Sequence, residues 1–150
     1  MDSDQEFQEK INQVQPKGLY WEIVTTRFRK DIFRKPSTNG GVGVKWYPDV
    51  SKDEVAVVVE LFAYDGNKER QIEIGFVSVK GVFSVKGAPQ RNGTMVLSPL
   101  HAIYMGQMTY DTARGVFLAK AAKTPLEGLV FHEPDPKIFF PTSMPGISLN

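Results

Sequence analysis

Cysteine is absent from this sequence, and only two of its 150 residues are histidine. The lack of cysteine excludes disulfide bonds, thiol catalysis and thiolate metal sites. His132 to Asp135 offers a single imidazole beside hard carboxylates, which is a poor set of metal ligands. His101 lies early in a predicted helix, where packing is enough to explain it. We therefore predict no metal and no cofactor.

The sequence also has no large excess of positive or negative charge and no long apolar run. Lys and Arg total 18 against 17 Asp and Glu, and this net charge of +1 gives no general case for nucleic-acid binding. No apolar run approaches the ~20 residues that a membrane-spanning helix needs. The polar, acidic start MDSDQEFQEKINQ does not resemble a signal peptide. We expect a cytoplasmic protein with no nucleic-acid partner and no membrane insertion.

Catalytic motifs are missing as well. The sequence has no P-loop, GxGxxG, HExxH or GxSxG pattern. Glu60 and Glu73 could approach each other across a sheet, but a structural or solvated role fits them better than acid–base catalysis. We therefore predict that the protein is not an enzyme.

Strand-like sequence is abundant between residues 18 and 87, which are rich in β-branched and aromatic side chains. Val55 to Tyr64 is the strongest strand, and the Asp65-Gly66-Asn67 turn brings residues 71–85 back antiparallel. Both runs are apolar on two faces. In residues 71–85 the apolar set also changes phase after Phe76, which requires an irregularity. We predict a bulge or bend at Lys80-Gly81, where glycine accepts unusual backbone angles.

The remaining segments complete a predicted α+β domain. Residues 1–17 form a short helix or arm, and residues 98–123 form one long helix that begins at Ser98-Pro99. Residues 124–150 form an extended, proline-rich tail. The predicted fold is a four-stranded antiparallel sheet, residues 18–87, with the long helix on one face, in a single domain over residues 1–150.

The long helix is apolar almost all round, which is typical of a helix buried on several sides. A stripe of small residues, Ala102, Gly106, Thr109 and Ala113, would let another backbone approach closely. Since buried apolar area stabilises by about 25 cal/mol per Å², we expect the surplus apolar surface to drive self-association, with this stripe at an oligomer interface. The alternative is a well-filled monomer with an unusually hydrophobic helix.

The sequence resembles the SecB family of export chaperones from about Trp21 to Phe140. The likeness is carried by Lys30-Asp31-Ile32, Val44-Lys45, Ser98-Pro99, Pro125 onward and the run GVFSVKG from Gly81 to Gly87. The resemblance implies a SecB-like fold and a homotetramer, built as a dimer of dimers with helices between the sheets. It also implies a holdase, which binds unfolded polypeptides in long apolar grooves without ATP.

Residue positions follow from the resemblance. It places Phe33, Trp46, Phe139 and Phe140 in the groove, and Asp31 and Ile74 in a contact with the SecA motor. Two further acidic positions of that contact fall at Lys35 and Phe76, and the chain given has no acidic tail. A specialised client, such as the antitoxin of a toxin–antitoxin pair, is therefore an alternative to general export.

Two other functions remain open at this point. A hotdog-type thioesterase also wraps a sheet around one long helix, but there the helix precedes most of the strands. An oligomeric scaffold without a client groove would share the apolar surplus and bind no unfolded chain.

Overall fold

The structure, a computed structural model, describes residues 2–31, 38–67, 70–142 and 144–150. It confirms the α+β fold with a four-stranded antiparallel sheet and one long helix. The helices are α1 (Ser3–Gln13) and α2 (Pro99–Ala121), with 3-10 turns at Val50–Lys52 and Pro136–Phe139. The strands are β1 (Lys17–Phe28), β2 (Thr38–Asp49), β3 (Glu54–Asn67), β4 (Arg70–Ser84), β5 (Gln90–Arg91), β6 (Thr94–Leu97) and β7 (Ile147–Leu149).

The main sheet has the strand order β1-β4-β3-β2, so β1 and β2 are its edges. Its inner face packs on α2, and the odd-numbered residues of β3 from Val55 to Ala63 are fully buried there. Even-numbered residues of β3 point to the outer face, as the alternation of a strand requires. Trp46 of β2 pairs with Val57 and therefore lies on the inner face.

The bulge in β4 lies at Ile74 rather than at the predicted Lys80-Gly81. The register shifts where Ala63 pairs with Gly75 and Tyr64 pairs with Glu73, which leaves Ile74 unpaired. Gly81 pairs regularly with Val57 and Trp21. A Cβ atom at Gly81 would lie 2.5 Å from Thr109 Oγ1 and 2.7 Å from Trp21 Nε1, so this glycine makes room for α2 and for the indole.

Helix α2 begins as the sequence predicts, with Ser98 at the N-cap and Pro99 in the first turn. The Ser98 side chain accepts from the His101 backbone N–H, and His101 Nδ1 accepts from the Ser98 N–H, each at 3.2 Å. One side of α2 packs on the sheet. The other side leaves Leu100, Tyr104 and Leu118 exposed. No helix in the described part of the chain is long and apolar enough to cross a membrane.

The segment after α2 runs back along the helix and over β2. Phe131 packs on Phe117 with ring centroids 4.8 Å apart, and a Cβ at Gly40 would lie 3.1 Å from the Phe131 ring. Tyr110 Oη donates to the His132 carbonyl at 2.7 Å. Farther along, Phe139 contacts Gly106. Together these contacts fix the segment against the body of the subunit.

A second, smaller sheet was not predicted. Its strand order is β5-β6-β7, in which β5 pairs antiparallel with β6 and β7 pairs parallel with it. The predicted extended tail therefore contains a 3-10 turn and a strand. Asn150 Nδ2 donates to Gln8 Oε1 at 3.0 Å, which ties β7 to α1.

Candidate functional site

The predicted groove residues are largely inaccessible in this structure. Trp46 is 4% exposed and Phe139 is fully buried, whereas Phe140 is only partly buried against the core. The Trp46 indole Nε1 is buried and has no hydrogen-bond partner among the described residues. Phe33 lies outside the described residues.

The reason is that the segment after α2, to which Phe139 and Phe140 themselves belong, fills a groove that holds Trp46. We call this the inner groove; it lies between α2 and β2 and is floored by Val42, Val44 and Trp46, the inner-face residues of β2. The segment contacts β2 at Gly40 through Phe131 and at Pro48 through Gly146. These contact points are eight positions apart, roughly 26 Å along a strand. The chain thus covers its own inner groove with a largely extended stretch of itself.

The small-residue stripe of α2 is used inside the subunit. Ala102, Gly106, Thr109 and Ala113 are all buried, and they face the sheet and the returning segment. Gly106 admits the Phe139 ring, and Thr109 sits over Gly81. The close approach that the sequence analysis assigned to an oligomer interface is therefore made within one chain. The opposite side of α2 is the one exposed to solvent.

The predicted motor-contact residues lie at one end of the sheet. Asp31 is bound by the Arg29 guanidinium at 2.8 and 3.0 Å, and this hydrogen bonding lowers the pKa of the Asp31 carboxyl below its usual range. Ile74 is buried in the bulge, and its carbonyl accepts from the Arg29 N–H at 3.0 Å. A depression at Ile74 is lined by four basic residues and one acidic residue, so its charge is basic rather than acidic.

An open groove runs over the outer face of the sheet. We call it the outer groove. At one end it forms a depression of about 600 Å³, and it continues into a second depression through Val24, Tyr47 and Val58, which line both. Tyr20, Val24 and Tyr47 stand about half exposed around it. Its other apolar residues are Ala56, Val58 and Val82, and then Phe62 and Phe76 at the far end.

Several charged residues of the outer groove form ion pairs, and its acidic and basic lining residues are equal in number. Lys45 Nζ lies 3.0 Å from Glu60 Oε1, and this hydrogen bond raises the pKa of Lys45. Arg27 binds Glu73 at 3.1 Å and stacks over the Phe76 ring, with its guanidinium carbon 4.0 Å from the ring centroid.

Lys80 and Glu22 approach to 3.8 Å across β4 and β1. Because these pairs form within the protein and the lining charges are balanced, the outer groove does not select for a ligand of one charge sign.

The sequence analysis missed most of the outer groove, although its signal was visible. The sequence shows that β3 is apolar on two faces, and Ala56, Val58 and Phe62 belong to the second of them. The sequence alone does not show which of the two faces forms the core, because this depends on which face the later part of the chain covers. No group of three or more acidic or histidine side chains suited to a metal ion occurs among the described residues.

Comparison with known proteins gives a structural match without a sequence match. Neither a family model nor a curated protein matches the sequence. Among solved structures, the chain is similar to a SecB-like chaperone of Mycobacterium tuberculosis, in complex with a ChAD peptide from the HigA1 antitoxin. The TM-score is 0.58 at 10% identity, and the match covers 87% of this chain and 99% of the other. This chain therefore has a SecB-like fold.

Proposed function

We propose that this protein is an ATP-independent chaperone that holds nonnative polypeptides in an extended form. The observation that carries the proposal is the outer groove, which is open, has an apolar stripe, and is lined by as many acidic as basic residues. It follows β3 from Glu54 to Phe62, eight positions or roughly 26 Å, which is the length of about eight extended residues. Such a surface suits many sequences, since apolar contact asks for no particular partner chemistry.

The apolar surplus expected from the sequence also supports self-association. Leu100 is 75% exposed on the solvent side of α2, and Tyr104 and Leu118 lie on the same side of the helix. Edge strand β1 carries exposed Leu19 and Ile23. We propose a dimer of dimers that covers these surfaces with α2 between the sheets. That arrangement leaves the outer groove of every subunit open to a client.

The structural neighbour supports the same function. It is a chaperone that was solved with a bound peptide from an antitoxin. Polypeptide is therefore a suitable class of client for this fold, and an antitoxin is the specialised form of client that the neighbour favours. A contact with a SecA-type motor is less well supported, since Asp31 is held by Arg29 and Ile74 is buried.

The test is a holdase assay with a matched pair of variants. The protein is mixed with a refolding client, and suppressed aggregation without nucleotide is the expected result. Val24→Asp places a charge in the outer groove, whereas Val130→Asp makes the same change on the segment after α2; both valines are at least half exposed. We expect Val24→Asp to lose most of the suppression and Val130→Asp to keep it. Aggregation that is unchanged by the natural protein would overturn the proposal.

A further inference from the structure

Strand β7 occupies the edge of β6 as an added strand. Its three residues pair parallel with Met95 to Leu97. On either side of the ladder, the Met95 N–H donates to the Gly146 carbonyl and the Asn150 N–H donates to the Leu97 carbonyl, each at 2.9 Å. Gly146 and Asn150 therefore turn their backbone polar groups toward β6, and by the two-residue alternation Ser148 does the same.

The side chains of β7 explain why it binds there. Ile147 is almost fully buried beside Met95, and Leu149 packs partly against the core. Ser148 lies between them in the opposite phase and is only partly buried. The edge of β6 thus receives an extended segment in which an apolar residue occupies every second position. This is the pattern by which sheet edges recognise peptides: backbone bonds give affinity and alternate side chains give selectivity.

The attachment is short compared with the rest of the fold. It consists of a three-residue strand that follows Pro145 and Gly146, of which Pro145 has no N–H to donate. Phe139, by contrast, is buried between Gly106 and Tyr110, so the chain before it is anchored separately. Short segments of this kind open locally without unfolding the domain. Detachment of β7 would expose both the edge of β6 and the apolar site that Ile147 occupies.

We propose that β6 is a strand-addition site for client polypeptide, which β7 occupies until a client displaces it. The ligand is an extended segment with the pattern apolar-any-apolar, bound parallel to β6. The inference rests on the proposed chaperone function and adds a second site to the outer groove.

A reversible lock on β7 tests this proposal. The chain has no cysteine, so Val96→Cys with Ser148→Cys places the only two thiols on paired residues of β6 and β7. Neighbouring strands bring paired side chains near the separation that a disulfide needs. Oxidation holds β7 in place and reduction frees it, so one protein serves as its own control. Neither substitution touches Ile147 or Leu149.

The measurement is the dissociation constant for a permanently unfolded client with blocked thiols, in both redox states. We expect oxidation to weaken binding at least tenfold. Hydrogen exchange should also show that a client exposes the amides of β7 in the reduced form only. Equal affinity in both states would overturn the strand-addition site and leave the holdase standing. If neither form binds the client, the proposed function itself fails.

A loosened strand gives the opposite change. Ser148→Pro removes a backbone donor in the phase that faces β6 and leaves the core side chains of β7 in place. The loss of one hydrogen bond should favour opening by about fivefold and tighten client binding by the same factor. Ser148→Ala keeps the donor and should bind as the natural protein does. Unchanged or weaker binding by the proline variant would contradict the proposal.

Discussion

Tyr47→Ala is the most direct perturbation of the outer groove. Tyr47 is 55% exposed, and it lines both depressions of the groove. An aromatic side chain buries about 200 Å² when fully covered, so roughly 100 Å² of Tyr47 is available to a client. At about 25 cal/mol per Å² this area is worth roughly 2.5 kcal/mol. Ordering the side chain costs about 1 kcal/mol, which leaves about 1.5 kcal/mol, or tenfold in affinity.

The assay is fluorescence anisotropy with a labelled unfolded client, together with light scattering for the mass of the assembly. Tyr104→Ala is the matched control, because Tyr104 is similarly exposed but lies on the solvent side of α2. We expect Tyr47→Ala to weaken client binding about tenfold at unchanged mass. Tyr104→Ala should instead reduce the mass. Client affinity within twofold of the natural protein, in a folded Tyr47→Ala variant, would refute the outer groove.

Three further predictions concern packing, assembly and pH. Gly106→Ala should lower the free energy of unfolding, measured in urea, by about 1–3 kcal/mol, because the new Cβ would clash with the Phe139 ring. Gly115→Ala on the same helix is the control. Its Cβ would contact no other atom, so the free energy of unfolding should rise by about 0.5–1 kcal/mol. Leu100→Ser with Leu118→Ser should shift the light-scattering mass toward the single subunit, because both side chains are exposed on α2; an unchanged mass argues against this interface. Burial lowers the pKa of His101 and outweighs the hydrogen bond to the Val14 backbone, which raises it. The unfolded chain then binds the proton more readily, so the free energy of unfolding should fall as pH drops below about 6.5. His101→Gln, which keeps a capping side chain, should reduce that slope in urea titrations at several pH values.

The main elements could be predicted because their signals are local. Ser98-Pro99 and Thr124-Pro125 bracket α2, and runs of β-branched residues mark the strands of the main sheet. The smaller sheet carries no such signal, since its strands have two to four residues and β7 pairs with a strand far back in the chain. The parallel pairing of β7 with β6 depends on how the segment after α2 packs along the subunit. Such packing is tertiary structure, which local sequence patterns do not predict.

The candidate site was harder to predict, for a related reason. Spacing alone shows that Gly106 permits a close approach, but it does not say that the approaching group is Phe139 of the same chain. Trp46 is predicted in a client groove, whereas in the packed subunit it is a buried member of the core. The bulge was placed at Gly81, because glycine suits an irregular backbone as well as it suits a close contact. Only the packed structure distinguishes these two uses of glycine.

The parallel pairing of β6 with β7 also orders the folding of the chain. Strands β2, β3 and β4 pair with their neighbours in sequence and can zip together as hairpins on a microsecond scale. Met95 can pair with Ile147 only when the loop of roughly fifty residues between them has closed. Closing such a loop costs more entropy than closing a hairpin does. In pulse-labelled refolding, the amides that pair β6 with β7 should therefore become protected after those that pair β2, β3 and β4. A nascent or newly refolded molecule passes through a stage in which its last strand is still undocked.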